Sequence, residues 1–115
     1  MSDNVAATRN VLSSYVSVEH DDVEGLMRIR IFGELDLSTV DTTATALTEL
    51  VRCSDSDVLV DLAETGFVAV AGVRVLAAMA DGCRAEGRSF ALAGVSGVLR
   101  RMLTVCQLEH LIAFA

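Results

Sequence analysis

Proline is absent from this sequence of 115 residues, and positive charge is scarce. Without proline there is no polyproline segment to present and no cis-prolyl bond to slow folding. Nine Lys and Arg against sixteen Asp and Glu leave a formal charge of -7. That balance argues against a nucleic-acid binder, which needs a clustered basic face. Long hydrophobic runs are missing too. The stretch from Phe67 to Ala80 is broken by Gly72 and Arg74 and falls short of a membrane span, so no membrane partner is expected. Met1 to Asn10 carry no apolar run, so no signal peptide is expected. Cys53, Cys83 and Cys106 are too far apart for a zinc pattern, and an odd number without a signal reads as free thiols in the cytoplasm. With only His20 and His110 available, a metal centre would need scattered carboxylates. None is expected, and no cofactor either.

What remains is one domain's worth of chain, 52% apolar and 22% charged, able to bury a core. Residues 1–10 are small and polar and read as a flexible tail ahead of a single domain over 11–115. A loose alternation over 11–18 predicts a strand, followed by a turn at His20-Asp21-Asp22. Met27, Ile29 and Ile31 alternate with Arg28 and Arg30, which predicts a second strand over 26–32 with one partly wet face, closed by Gly33. Val40, Ala44, Leu47 and Val51 form one stripe of a helix over 39–52, with Ser38 as its N-cap and Asp41 completing a weak capping box. The short apolar run at 58–62 predicts a buried central strand, and Ala63 to Val68 a loop. A second helix over 71–86 turns Val73, Leu76, Ala77, Ala80 and Cys83 inward and stops at Gly87. A strand at 90–93, a helix at 97–105 and a strand at 111–114 complete an α/β fold. The expected core includes Leu47, Val60, Leu76, Leu92 and Leu103.

No catalytic set emerges. Asp61 ends a central strand, where a carboxylate usually accepts backbone N–H groups of the next loop, and no histidine is fixed beside it. The glycines make no phosphate loop, since the Gly66 to Gly72 stretch lacks lysine and serine. Cys83 reads as a small core residue, and Cys53 and Cys106 sit at helix C-termini, where the dipole raises a thiol pKa. Cys83 and Cys106 form a candidate redox pair.

Three segments are specific enough to carry a resemblance. Gly33-Glu34-Leu35-Asp36-Leu37-Ser38-Thr39 resembles the G-E-L-D-L-x-T segment of STAS domains, the anti-sigma factor antagonists and their relatives. Val58 to Gly72 is similar to the family's V-V-L-D-L-s-x-V-x-F-I-D-S-S-G stretch, and Gly94 to Leu108 to its G-P-S-x-x-V-x-R-x-L-x-x-T-G-L. The resemblance covers about residues 12–114. It implies a mixed sheet of four to five strands with helices mainly on one face. It also implies a non-catalytic regulator whose partner is an anti-sigma factor or a related kinase-like ATPase.

The departures matter most. Family switches are phosphorylated on a serine of the Asp-Ser-Ser-Gly motif. Aligned on Gly72, this chain has Ala69, Val70 and Ala71 there, with no oxygen to accept phosphate and no hydroxyl to cap the helix. Thr65 is the nearest displaced acceptor. The family's Thr-Gly exit from the third helix is here Cys106-Gln107. Either Gln107 takes a left-handed conformation, at a cost of about 1 kcal/mol, or the loop changes shape. By resemblance Val70 is exposed, whereas Phe67 and Val68 read as core anchors of the loop. The expected partner-binding set is Asp36, Ser38, Thr39, Ala69, Val70, Ala71, Gly72, Arg74, Val75 and Met79. Val75 and Met79 either extend the apolar patch or pack beneath a neighbouring element. Two rival readings are an oligomerising component of a larger signalling assembly, as a homo-oligomer, and a sensor holding a lipid or nucleotide at the second helix's N-terminus.

Overall fold

A computed structural model describes residues 8–13 and 16–113. Its strands are β1 (Thr8–Val11), β2 (Val16–Val23), β3 (Leu26–Leu35), β4 (Asp57–Asp61), β5 (Thr65–Val68) and β6 (Phe90–Ala93). The helices are α1 (Val40–Arg52), α2 (Val70–Ala85) and α3 (Gly97–Val105), with a 3-10 turn at Glu109–Leu111. The sheet runs β1-β2-β3-β4-β6, and β5 adds to β3 beyond the end of β4. β1, β2 and β3 pair antiparallel, while β3, β4 and β6 are parallel. Parallel neighbours need crossovers, and α1 and α2 supply them.

The alternation of β3 sets the layers. Met27, Ile29 and Ile31 are buried and Arg28 and Arg30 only partly so. Val18 pairs with Ile31, and Val60 with Ile29, so their side chains share the buried face. Against it lie Leu47 of α1, Leu76 of α2 and Leu103 of α3, which with Val60 and Leu92 are fully buried.

Four expectations need correcting. The first strand is two: β1 begins at Thr8, and β2 runs through His20, Asp21 and Asp22 to Val23. Acidic residues belong in this strand because two of them face an arginine, while Asp22 accepts from the hydroxyls of Ser54 and Ser56. Glu19 pairs with Arg30 at 2.9 Å and Asp21 with Arg28 at 2.7 Å, directly across the register. The turn falls instead at Glu24-Gly25, where φ is +52° and +81°, the double left-handed step that a two-residue hairpin requires. Gly33 does not end β3. At φ +114° it sits at an irregularity in the register with β5, and the strand continues to Leu35. The stretch from Thr65 is strand, because Thr65 and Val68 pair with Gly33 and Leu35. Finally, 111–114 is no full strand. Ile112 makes a single bridge to Leu92 after the 3-10 turn. Residues 1–7, Ser14, Tyr15, Phe114 and Ala115 lie outside the described residues, and most of the expected tail with them.

Candidate functional site

The C-terminal ends of β3 and β5 deliver the chain into the loop 36–39 and the start of α2. Leu35 and Val68 are register partners and both are buried. Ala69 then donates its N–H to Leu35 O at 2.8 Å, fixing the first turn of α2 against β3. Gly72 allows that approach. A Cβ there would meet Leu35 Cβ, Leu35 O and Val68 Cγ1, each at 3.1 Å.

The loop is organised around Asp36. Its Oδ1 accepts the Ser38 N–H at 2.9 Å, the Ser38 hydroxyl at 2.7 Å and the Thr39 N–H at 3.2 Å. The Ser38 hydroxyl bond, together with the two backbone N–H groups, holds the Asp36 carboxyl below its ordinary pKa against a smaller opposing effect of burial. Ser38 is therefore not the helix cap that its position suggests. Thr39 occupies the capping position without a side-chain cap bond, because its hydroxyl is already committed to Glu34 O at 2.6 Å. The Asp36 carboxylate takes the Ser38 and Thr39 N–H groups just ahead of the helix, and the Val40 N–H goes to Asp36 O at 2.9 Å.

Outside this scaffold lies an apolar surface. Leu37 is 81% exposed, Val98 60%, and Phe67 and Val70 53% each. Phe67 was expected in the core and faces solvent instead. In β5 it alternates with the inward Val68, so the other side of the strand is its only direction. Its N–H donates to Glu34 Oε2 at 3.0 Å, and a Cβ at neighbouring Gly66 would collide with that carboxylate. Phe67 and Val98 flank one small hollow with Leu62, Ser96, Leu99 and Met102, so the end of β5 and the start of α3 meet there.

The start of α2 bears no polar cap. Ala69 is the N-cap residue, with φ -78° and ψ +166°, and has no side-chain oxygen. The lost cap thus lies at the family's aspartate position, one residue earlier than the serine expected to supply it. Val70 opens the helix, and Ala71 is half-buried.

The expected partner-binding residues therefore divide. Asp36, Ser38, Ala69, Val70 and Ala71 converge on this end with at least part of their surface open, and Arg74 is exposed one turn along α2. Thr39 and Gly72 are buried and act as scaffold. Met79 is also buried, and Val75 is half-buried beside it. Both line a cleft between α1 and α2, because their helical face turns to α1, so neither extends the patch. Leu37, Phe67 and Val98, exposed apolar residues, were not among the expected set. They belong to three segments remote in sequence, and no periodicity links them.

Several other candidates take bland roles. Asp61 Oδ1 accepts the Ala63 N–H at 2.9 Å, the loop-fastening part expected of it. The Thr65 hydroxyl donates to Ile31 O at 2.7 Å and is half-buried, a poor phosphate acceptor. Cys53, Cys83 and Cys106 are free thiols. Burial raises the pKa of Cys83 above its ordinary value, with nearby Arg88 opposing, so its reactive thiolate is suppressed. Gln107 does adopt the left-handed conformation, at φ +60°. Among the described residues no helix is long and apolar enough to cross a membrane, and no group of three metal-ligating side chains is assembled.

Comparison with known proteins places this arrangement. A family model described as Mlab, STAS domain, matches residues 17–113. No curated protein matches the chain. Among solved structures, an anti-sigma factor antagonist from Mycobacterium paratuberculosis is 20% identical, with a TM-score of 0.74 over 84% of this chain and 82% of that one. The antagonist SpoIIAA in its unphosphorylated form is 17% identical, with a TM-score of 0.66 over 96% and 88%. An antisigma-factor antagonist STAS domain from Rhodobacter sphaeroides is 18% identical, with a TM-score of 0.61 over 70% and 88%. At these identities the likeness is one of fold.

Proposed function

The chain belongs to the STAS domain family, and from that premise we propose that it is a non-catalytic regulator acting by protein contact, as an anti-sigma factor antagonist or antagonist-like protein. Its partner is an anti-sigma factor or a related kinase-like ATPase. The observation that carries the reading is the exposure of Leu37, Phe67, Val70 and Val98, each more than half exposed, on the segments that lead into α1 and α2 and at the start of α3, where Val98 meets Phe67. Exposed apolar side chains gathered at one end of a small domain suit the dry centre of an interface. Asp36 and Ser38 supply a polar rim that tunes rate and salt dependence more than affinity. Proteins sharing the fold are described as anti-sigma factor antagonists, which supports the partner class.

Residues 69–71 have no hydroxyl, so kinase and ATP leave no phosphate on 69–72, and the protein stays in the unphosphorylated-like form. Intact-mass and peptide mapping after incubation with candidate kinases checks this. Phosphate found on Ser38 or Thr65 would return a regulated switch by another route.

The decisive variant is Val70→Asp. Val70 is exposed, so the domain stays folded by circular dichroism. An unpaired charge in a dry contact then costs at least a few kcal/mol, roughly 100-fold or more in affinity for the partner. Unchanged calorimetric affinity in the folded variant would sink the proposed interface.

A further inference from the structure

A second feature stands apart from that surface. Between α1 and α2 runs a cleft of about 340 Å³, within the roughly 300–1,000 Å³ typical of small-molecule sites. Its walls are mostly apolar, from Ala44, Val51, Val75, Ala78 and Met79, and Thr48, Arg52, Glu86 and Arg88 supply the polar lining. We propose that this cleft binds a small aliphatic carboxylate, chain along the helices and head on Arg88.

Arg88 is the first reason. Its side chain is only 6% exposed, and its guanidinium donates from Nε to Ser56 O at 2.8 Å and from Nη1 to Val51 O at 2.9 Å and Glu86 Oε1 at 3.0 Å. Nη2 is buried and finds no acceptor. A buried guanidinium donor left unused is costly, and the fork of Nη1 and Nη2 matches a planar carboxylate. Val51 and Glu86, the two acceptors of Nη1, line the cleft together with Arg88 itself, which sets Nη1 against it. Two of Arg88's acceptors are backbone carbonyls. The third, Glu86, is a side chain 66% exposed and free to swing out. Glu86 thus holds the place of a ligand carboxylate with one bond where a better-placed anion makes two. Arg52 also lines the cleft, but it is 70% exposed and pairs with Glu49 at 3.5 Å, so Arg88 is the one buried charge to answer, which favours a monoanion over a phosphate dianion.

Gly82 is the second and independent reason. It lies within α2, where glycine costs about 0.5–1 kcal/mol relative to alanine. Nothing lies within 4 Å of a Cβ added there, so no packing demands the glycine. It lines the cleft, and its missing side chain keeps the space open.

The same space suggests the test, run on the full chain with sodium decanoate below its micellar range. Titration calorimetry should give saturable single-site binding, and amide NMR shifts should centre on Val75, Gly82 and the Arg88 Nε–H. Gly82→Leu fills the cleft while favouring the helix, so it should melt no lower than the parent and bind at least about tenfold more weakly. Glu86→Gln should bind several-fold more tightly by weakening the competing carboxylate. Decyltrimethylammonium, with the same chain and opposite charge, should bind at least roughly tenfold more weakly than decanoate. Absent saturation, shifts centred elsewhere, unchanged binding by Gly82→Leu, or equal affinity for the cation would each overturn the proposal.

Discussion

The second and third helices use the same backbone at both ends and fill it with opposite choices of residue. Each opens from an extended N-cap, at Ala69 (φ -78°, ψ +166°) and at Ser96 (φ -69°, ψ +162°). Ser96 accepts the Leu99 N–H at 3.1 Å through its hydroxyl, whereas Ala69 has nothing to offer. Each helix closes with the same crossed pair of bonds. Arg88 N–H reaches Cys83 O and Gly87 N–H reaches Arg84 O, just as Leu108 N–H reaches Leu103 O and Gln107 N–H reaches Thr104 O. The left-handed residue is Gly87 at φ +72° in one and Gln107 at φ +60° in the other. So α2 has the poor start and the good exit, and α3 the reverse. Helix ends here are imposed by packing, and residue preference only modulates their cost. At Ala69 the sacrifice leaves a helix start with no side-chain oxygen beside Val70, which the proposed interface uses. Nothing in the structure explains Gln107.

If packing holds α2 in spite of its bare start, the largest loss should come from its buried face. Leu76→Ala should cost about 2–5 kcal/mol in denaturant melts, through lost transfer energy and the cavity left behind. A loss below about 1 kcal/mol would mean that face does not carry the helix. Next come the caps. Ser96→Ala should destabilise by about 0.5–2 kcal/mol and Ala69→Asp should stabilise by a similar amount, giving α2 the start that α3 already has. Ala69→Asp should also weaken partner binding, since it charges the dry edge. Neutral effects at both positions would break the comparison. The exits should respond more mildly. Gln107→Gly should stabilise by up to about 1 kcal/mol and Gly87→Gln should destabilise by a similar amount.

The smallest effect concerns the loop into α1, where the Asp36 carboxylate holds the Ser38 and Thr39 N–H groups just ahead of the helix. Its pKa in the folded chain is lowered, first by the Ser38 hydroxyl. Its contribution is therefore fully present above the unfolded value of about 3.9 and is lost as pH falls through the lower folded value. Asp36→Asn should flatten the acid limb of the stability curve below about pH 4, with its small loss of stability present at neutrality and vanishing as the two proteins converge in acid. Melting temperatures of both proteins from neutral into the acid range give the comparison directly.

Much of this molecule is legible without coordinates, and the reason is periodicity. The stripe through Leu47, the run around Val60 and the face of Leu76, Ala80 and Cys83 repeat at helix or strand spacing, so their burial follows from local geometry. Covalent chemistry is equally direct: valine and alanine at 70 and 71 have no atom to phosphorylate. Pairing across the chain is another matter. His20-Asp21-Asp22 looks like a turn until Arg28 and Arg30 stand opposite β2, and Thr65 to Val68 looks like a loop until Gly33 and Leu35 offer it an edge. Phe67, apolar and expected inside, is turned out by the parity of a strand whose existence depends on that pairing. Phe67 and Val98 come to flank one hollow, and Arg88 meets the end of α1, only when segments far apart in the chain are brought together. Local order is written residue by residue in side-chain pattern and stereochemistry. Sites are made of long-range neighbours, and those are set by which edges pair and which faces pack.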